Sequence, residues 1–392
     1  MLSDLEVKSI RSQFAIFRNK IYLNSCSQGA LSDSIEASLQ EHTQDWNDLG
    51  SPWDVWMEKY EAARAAFAKF IGAHPDEVAI VASASAGINS VASALDFRTR
   101  RKVVMGEFEF PTMGQIWLAQ ARRGAEIQFL GADGNSLATD KYAQHVDEQT
   151  LIVPLTHVCF KNGFRSDAKT IAKLAHEKGA LVMLDDYQDC GTRPVDVKGL
   201  NLDFYVTGAL KYLLAPSGIA FLYVRRELIE SLTPTVTGWF AQGNPFAFDV
   251  KHYDPAASAR RFEAGSPPVP QSYAVLASLE LLTDIGPAKI ASHVRALTQA
   301  YLQGARNLGI KSKTPLNSDG PLVVLQMKDA DAVVRKLAAD GIIVSNRMDG
   351  LRVSFHVYNT LDDVKIVLRL LEKNLDLAVR EDSPAALANI GA

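Results

Sequence analysis

The chain has 392 residues, 22% charged and 47% hydrophobic, the make-up of a folded globular protein long enough for one large domain and a smaller companion. Its 41 basic and 45 acidic residues leave a net charge of −4, so no basic surplus points to nucleic acid or an anionic membrane surface as a partner. No run reaches the ~18 apolar residues of a membrane span, and the opening residues mix acids with bases, unlike a secretory leader. A cytoplasmic location is expected, and Cys26, Cys159 and Cys190 are spaced for neither a disulfide framework nor a zinc site.

From about residue 75 to 225, short apolar runs alternate with helical stretches. EVAIVAS, KVVMGE, AEIQFL, LIVPLTHV, ALVMLDD, LDFYVTG and IAFLYV are continuous rather than alternating in polarity, which predicts strands buried on both faces. Between them SAGINSVASALDF, PTMGQIWLAQARRG and SDAKTIAKLAHEKG read as helices; in the last, Ser166 is the predicted N-cap and Gly179 lies just past the end. This alternation predicts an α/β fold, a mostly parallel sheet between helices, with ligands gathered at the C-terminal ends of the strands. Residues 231 to 275 break into Pro-, Gly- and aromatic-rich loops, followed by helices over QSYAVLASLELLTDIG and about 287–308. The order strand, helix, two strands, helix then suits a small α/β domain. The predicted organisation is an N-terminal segment 1–20, a large domain 21–260, a small C-terminal domain 261–380 joined by N-terminal residues, and a flexible tail 381–392.

In YVTGALKYLLAPSGIAFLYV, residues 205–224, the one charged residue is Lys211. A lysine that carries its head to water along an apolar stem accounts for it. So does an amine held partly desolvated as a nucleophile for a carbonyl. Asp185 closes the strand ALVMLDD, and Ser83-Ala84-Ser85-Ala86 leads from a strand into a helix, where free N–H groups and the helix dipole attract an anion. Taken singly, these read as a turn cap and a tight strand–helix turn. Together, an anion cradle, a carboxylate and a lone lysine at strand ends meet the needs of pyridoxal 5′-phosphate: a phosphate, a ring nitrogen kept protonated, and an aldehyde that condenses with an amine.

LDDYQDCGTRPVDV, TGALKYLLAPSGIAFLY and RFEAGSPPVPQ, in a chain that matches from IYLNSCSQGALS to LRVSFHVYNTLDDV, resemble the class V aminotransferase group of fold-type I pyridoxal-phosphate enzymes. That group includes cysteine desulfurases, selenocysteine lyase, kynureninase and isopenicillin N epimerase-like proteins. The resemblance implies a large domain with a mostly parallel seven-stranded sheet between helices and a smaller α/β C-terminal domain. It makes Lys211 the Schiff-base lysine, Asp185 the partner of the ring nitrogen and Gln188 that of the ring hydroxyl. Ala84 and Ser85 become the phosphate cradle, with Thr207 adding a hydroxyl, and Phe110 stacks on the ring. Ser266 would reach the phosphate of a second subunit, which implies a homodimer with shared sites. Arg352 would hold the carboxylate of a small amino-acid substrate, with Asn24 and Trp239 on the substrate side. Gln188 also reads as a turn residue, Phe110 as core, and Arg352 as a solvated strand residue.

The departures shape the expected activity. Gly208-Ala209-Leu210 stands where desulfurases commonly carry Ser-x-His, and HVCFKNG places Phe160 where an asparagine is usual, with Asn162 two residues on. Only NRMDGL separates Ser345 from Arg352, so the desulfurase loop with its nucleophilic cysteine is missing. Cys26 reads as a small apolar filler. The expected enzyme acts at the Cα of an amino acid as an aminotransferase. The alternative is a β-lyase or kynureninase-like enzyme cleaving a C–S or C–C bond, or an epimerase; persulfide formation and a metal site are not expected. A nucleotide-binding protein is disfavoured because GxGxxG and GxxxxGK[ST] are both absent.

Overall fold

A computed structural model describes residues 1–381, so the predicted tail lies outside the described residues from position 382 onward. The elements run α1 (Asp4–Ser12), β1 (Ile21–Tyr22), α2 (Asp33–Leu49), α3 (Trp53–Phe70), β2 (Val78–Val81), α4 (Ala84–Ala94), β3 (Lys102–Gly106) and α5 (Pro111–Ala119). Next come β4 (Glu126–Leu130), α6 (Thr139–His145), β5 (Thr150–Thr156), α7 (Ala168–Glu177), β6 (Leu181–Asp185), β7 (Phe204–Gly208), β8 (Ala220–Val224) and α8 (Arg226–Ile229). The chain ends with α9 (Val269–Ile285), α10 (Pro287–Asn307), β9 (Leu322–Gln326), α11 (Ala330–Ala339), β10 (Ile342–Ile343), β11 (Ser345–Arg347), β12 (Gly350–Ser354) and α12 (Leu361–Glu372).

The seven apolar runs form one seven-stranded sheet, ordered β2-β8-β7-β6-β5-β3-β4. Only β8 runs against its neighbours, β2 and β7. The reason is in the connection: a loop without a helix joins β7 to β8, and a parallel return needs a longer crossover. The register sets Thr156 beside Asp185 and Asp185 beside Val206, so the C-terminal ends of β5, β6 and β7 meet at one edge of the site.

Two cores sandwich the sheet. Tyr205 of β7 points into one core, shared with Ala168, Ile171 and Ala175 of α7. Phe204 and Val206 point into the other, shared with Ile88 and Val91 of α4 and with Met113 and Trp117 of α5. The cap of α7 is Asp167, not Ser166: the Asp167 carboxylate accepts the Thr170 N–H at 3.1 Å, while the Ser166 hydroxyl donates to the Thr156 carbonyl at 2.9 Å. Gly179 follows the helix with φ of 69°, where a side chain is strained.

The C-terminal strands form a three-stranded antiparallel sheet, ordered β11-β12-β9. β1 pairs in parallel with β10, which ties the N-terminal segment to this layer. Packing partners change at Gly286: α9 lies on α2 and α3, and α10 on α12 and β9, so the boundary read at residue 261 falls before a helix that packs with the first layer. Among the described residues no helix is long and apolar enough to cross a membrane. All three cysteines are free and buried.

Candidate active site

Lys211 lies three positions past the end of β7, in a loop pinned by the Ala209 N–H on the Ile219 carbonyl at 3.2 Å and the Ala215 N–H on the Ala209 carbonyl at 3.0 Å. Its Nζ stands 4.2 Å from the centre of the Tyr187 ring and 5.7 Å from that of Phe110. Burial pushes its pKa down to about 8, against the pull of Asp185 and with help from Arg352 and Arg347. The N-terminal segment closes over the loop: the Gly29 N–H donates to the Leu210 carbonyl at 2.7 Å, and a Cβ at Gly29 would sit 2.5 Å from the Lys211 carbonyl oxygen. Only glycine fits there.

Asp185 is buried at the end of β6, and burial pushes its pKa up to about 6, although the Tyr187 N–H donates to its Oδ1 at 3.0 Å and Lys211 pulls the other way. A second buried acid is close by. Glu109 accepts the Thr156 hydroxyl at 2.6 Å, and burial, aided by Asp185, pushes it up to about 8. Behind Asp185 a charged network holds the strand ends. His157 Nδ1 meets Asp186 at 2.6 Å, the Tyr205 hydroxyl donates to Asp186 at 2.7 Å, and Arg193 pairs with Asp189 at 2.7 Å. His157, Asp186 and Asp189 have the spacing of metal ligands, but the Arg165 Nε donates to His157 Nε2 at 3.1 Å. With two guanidiniums already in contact, the cluster reads as an ion network.

The anion cradle forms at the start of α4. Ser83 caps the helix by accepting the Ala86 N–H at 3.1 Å, and the amides of Ala84 and Ser85 have no partner among the described residues. The Ser85 hydroxyl reaches Thr112 Oγ1 at 3.2 Å. Thr207 does not join this cradle. It is buried on the face of β7 that Tyr205 occupies, opposite α4, and its hydroxyl turns to the Gly208 carbonyl at 3.3 Å. Strand alternation explains this, since successive side chains leave opposite faces.

Tyr187 stands on the cradle side instead. It packs against the α4 core, and a Cβ at Gly208 would lie 2.1 Å from its Cζ and 2.3 Å from its hydroxyl oxygen. Glycine at 208 therefore makes room for this ring. Gln188 is buried, with Nε2 on the Cys26 carbonyl at 3.2 Å and Oε1 without a partner among the described residues. Phe110 precedes α5 with its ring half in solvent, edge-on to Phe160 at 5.0 Å.

Arg352 of β12 is 1% exposed, and it donates to Ser345 Oγ at 3.1 Å, Ser27 Oγ at 2.7 Å and the Phe160 carbonyl at 3.4 Å. All three acceptors are neutral. Asn24 lies half-buried in the same N-terminal turn, where its carbonyl accepts the Ser27 N–H at 2.9 Å. Two expected residues are not gathered at Lys211 within one chain. Trp239 packs with Trp53, Phe240, Phe246 and Phe248 and lines a separate cavity of about 670 Å³. Ser266 is exposed and lines a smaller cavity of about 150 Å³ with Val81, Ala82 and Ala86 at the mouth of the cradle.

Tyr187, Glu109, Ser27, Ser345 and Arg347 were not singled out from the sequence. Tyr187 had a signal, standing between Asp185 and Gln188; the others are placed by pairing across the chain.

The site fits pyridoxal 5′-phosphate: two unpaired amides for the phosphate, an acid for the ring nitrogen, an unpartnered buried amide oxygen for the ring hydroxyl, and a desolvated amine. The family model for class-V aminotransferases matches residues 49–367. An uncharacterized aminotransferase, YcbU, of Bacillus subtilis (strain 168) is 34% identical, over 91% of this chain and 94% of that protein. A kynureninase of Bacillus thuringiensis subsp. konkukian is 27% identical, over 94% of this chain and 91% of that protein. The apo cysteine desulfurase of Thermococcus onnurineus superposes with a TM-score of 0.86 at 23% identity, covering 96% of this chain and 100% of that one. A cystine C–S lyase mutant with glycine covalently linked to its pyridoxal-phosphate cofactor superposes at 0.85 with 21% identity, over 92% and 98% of the two chains. With this fold, this cradle and these relatives, the chain belongs to the class-V aminotransferase family and is a pyridoxal-phosphate-dependent enzyme.

Proposed function

We propose that the enzyme is an aminotransferase that holds its amino-acid substrate by the α-carboxylate on Arg352. The observation that carries this reading is the state of that guanidinium, fully buried and bonded only to neutral oxygens. A buried charge without a counter-ion is costly, and a carboxylate offers it a bidentate partner.

Each remaining residue has a task that follows from its placement. Lys211 is the attachment point, and an amine brought to about 8 has a larger neutral fraction near neutrality than a solvated lysine, so it can take a proton from Cα and return it. Asp185, about 6 when alone in the pocket, is held ionised by a protonated ring nitrogen. The Ala84 and Ser85 amides bind the phosphate, Gln188 Oε1 accepts the ring hydroxyl, and Phe110 and Tyr187 supply aromatic faces. When bound, the cofactor supplies the sink for the electron pair released as a bond to Cα breaks.

Transamination is tested by incubating the holoenzyme with amino acids. Conversion of the cofactor to its amine form, reversed by a keto acid, supports the reading; release of pyruvate or alanine without that conversion refutes it. The second reading is C–S or C–C cleavage, favoured by the aromatic cluster around Trp239 and by the kynureninase relative.

We also propose a homodimer with shared sites, because Ser266 is exposed beside the cradle and Phe246 and Phe248 expose 49% and 71% of their surface next to Trp239. Mixing inactive Lys211→Ala chains with inactive Trp239→Ala chains then restores activity, since one site of each mixed dimer is intact. No restoration would place Trp239 outside a shared site.

A further inference from the structure

The hairpin that carries Arg352 also presents a second guanidinium to the same face. β11 and β12 pair with Ser345 opposite Arg352 and Arg347 opposite Gly350. Side chains two apart on a strand share a face, so Ser345, Arg347 and Arg352 project to one side. Diagonal neighbours of this kind stand about 7 Å apart, within reach for two side chains as long as arginine. Val324 lies opposite Arg352 on β9, on this same face, and packs with Cys26 and Tyr212, the residue after Lys211. The face therefore looks toward the lysine. In agreement, burial and then Arg352 push Arg347 below its ordinary value, and the charge of Arg347 adds to the push on Lys211.

Among the described residues neither guanidinium has an acid partner. Arg347 donates to the Asn346 carbonyl at 2.7 Å and to no carboxylate. The nearest acid in the hairpin, Asp349, is engaged by Lys313 and by the Gln326 amide at 3.0 Å. Next to Phe160, whose carbonyl accepts from Arg352, Lys161 holds its amine 5.6 Å from the centre of the Phe160 ring. The acids at the site are Asp185, assigned to the ring nitrogen, and Glu109, which burial keeps from ionising readily. Arg352 and Arg347 together carry more positive charge than one α-carboxylate neutralises.

We infer that the substrate is an amino acid whose side chain ends in an anion, with the α-carboxylate on Arg352 and the side-chain acid on Arg347. This rests on the reading of Arg352 above and adds the substrate class. Two like charges side by side are unfavourable in the free enzyme, and each gains when an anion arrives. Arg347 is exposed, so the acid group lies toward the mouth, where a carboxylate or a phosphate can be received.

The test titrates holoenzyme with L-aspartate, L-glutamate, O-phospho-L-serine, L-alanine and L-leucine, following the cofactor absorbance and kcat/KM, in the parent, Arg347→Gln, Arg347→Lys and Arg352→Gln. The parent should prefer the acidic substrates over alanine by roughly 10- to 100-fold, the range of a charge-assisted hydrogen bond. Arg347→Gln should lower that preference by at least about tenfold, through KM, with partial recovery in Arg347→Lys. Ranking among the three acids separates a carboxylate from a phosphate. A parent that favours alanine or leucine, or an Arg347→Gln variant that keeps the acid preference, overturns the inference. An Arg352→Gln enzyme that binds every amino acid as the parent does, or a parent that reacts with none, overturns the underlying reading instead.

Discussion

Glu109 and Asp185 show how one buried corner treats two acids, pushing one up to about 8 and the other up to about 6. A carboxyl whose folded pKa stands above its ordinary 4.5 holds its proton longer in the folded state. Its contribution is therefore neutral at low pH and turns destabilising as pH rises from about 4.5 to about 8. Glu109→Gln keeps an oxygen for the Thr156 hydroxyl and removes the titration. The apoprotein variant should be more stable than the parent above the upper end of that window, on the order of a few kcal/mol, and should show a flatter fall of melting temperature with pH. Equal stability and an unchanged slope would show that Glu109 ionises without penalty. Lys211 stands out in the sequence as the one charge in an apolar window, Asp185 gains meaning only beside it and the Ser83–Ala86 turn, and Arg352 is singled out only by the family resemblance. Glu109 was not legible, because nothing in GEFEFPTM distinguishes the buried acid from Glu107, which is exposed.

At the level of elements, the seven strands and their helices were readable from continuous apolar runs. The errors were local. Ser166 and Asp167 are both good caps, and only the strand end at Thr156 decides which serves. Thr207 is expected at the phosphate, but alternation along β7 sends its side chain to the face of Tyr205, opposite α4. The hairpin of β11 and β12 holds a feature that sequence alone hides: Met348, 82% exposed, turns the chain with φ of 53°. A side chain in that left-handed region costs about 1 kcal/mol, which glycine avoids at some entropic cost in the unfolded chain. Met348→Gly should therefore raise stability by about 0.5 kcal/mol, read as a higher urea midpoint at unchanged slope. A lower midpoint would mean that the Met348 side chain contributes packing that its exposure does not reveal.

For the whole molecule, the site exists because distant parts of the chain are brought together. Pairing of β1 with β10 carries Ser27 to Arg352, and Gly29 to the loop of Lys211. The large sheet supplies Asp185 and the cradle, and the C-terminal sheet supplies the guanidinium. The mostly parallel sheet and the edge where ligands gather follow from the alternation of elements, whereas the strand order and the reversed β8 come from the structure alone. The joining of N-terminal residues to the C-terminal domain is expected, but the strand that makes it is not, because two residues leave no periodic signal. Trp239 and Ser266 lie off the single-chain site, and the dimer proposed above would bring them to it from a second subunit. The central claim is chemical: the amine of Lys211 carries the cofactor. Borohydride reduction of the purified holoprotein, followed by peptide mass spectrometry, should place a phosphopyridoxyl group on Lys211 alone, and Lys211→Ala should show no fixed label. A label on any other lysine, or a Lys211→Ala protein that still fixes cofactor and turns over amino acids at the parent rate, would contradict the account.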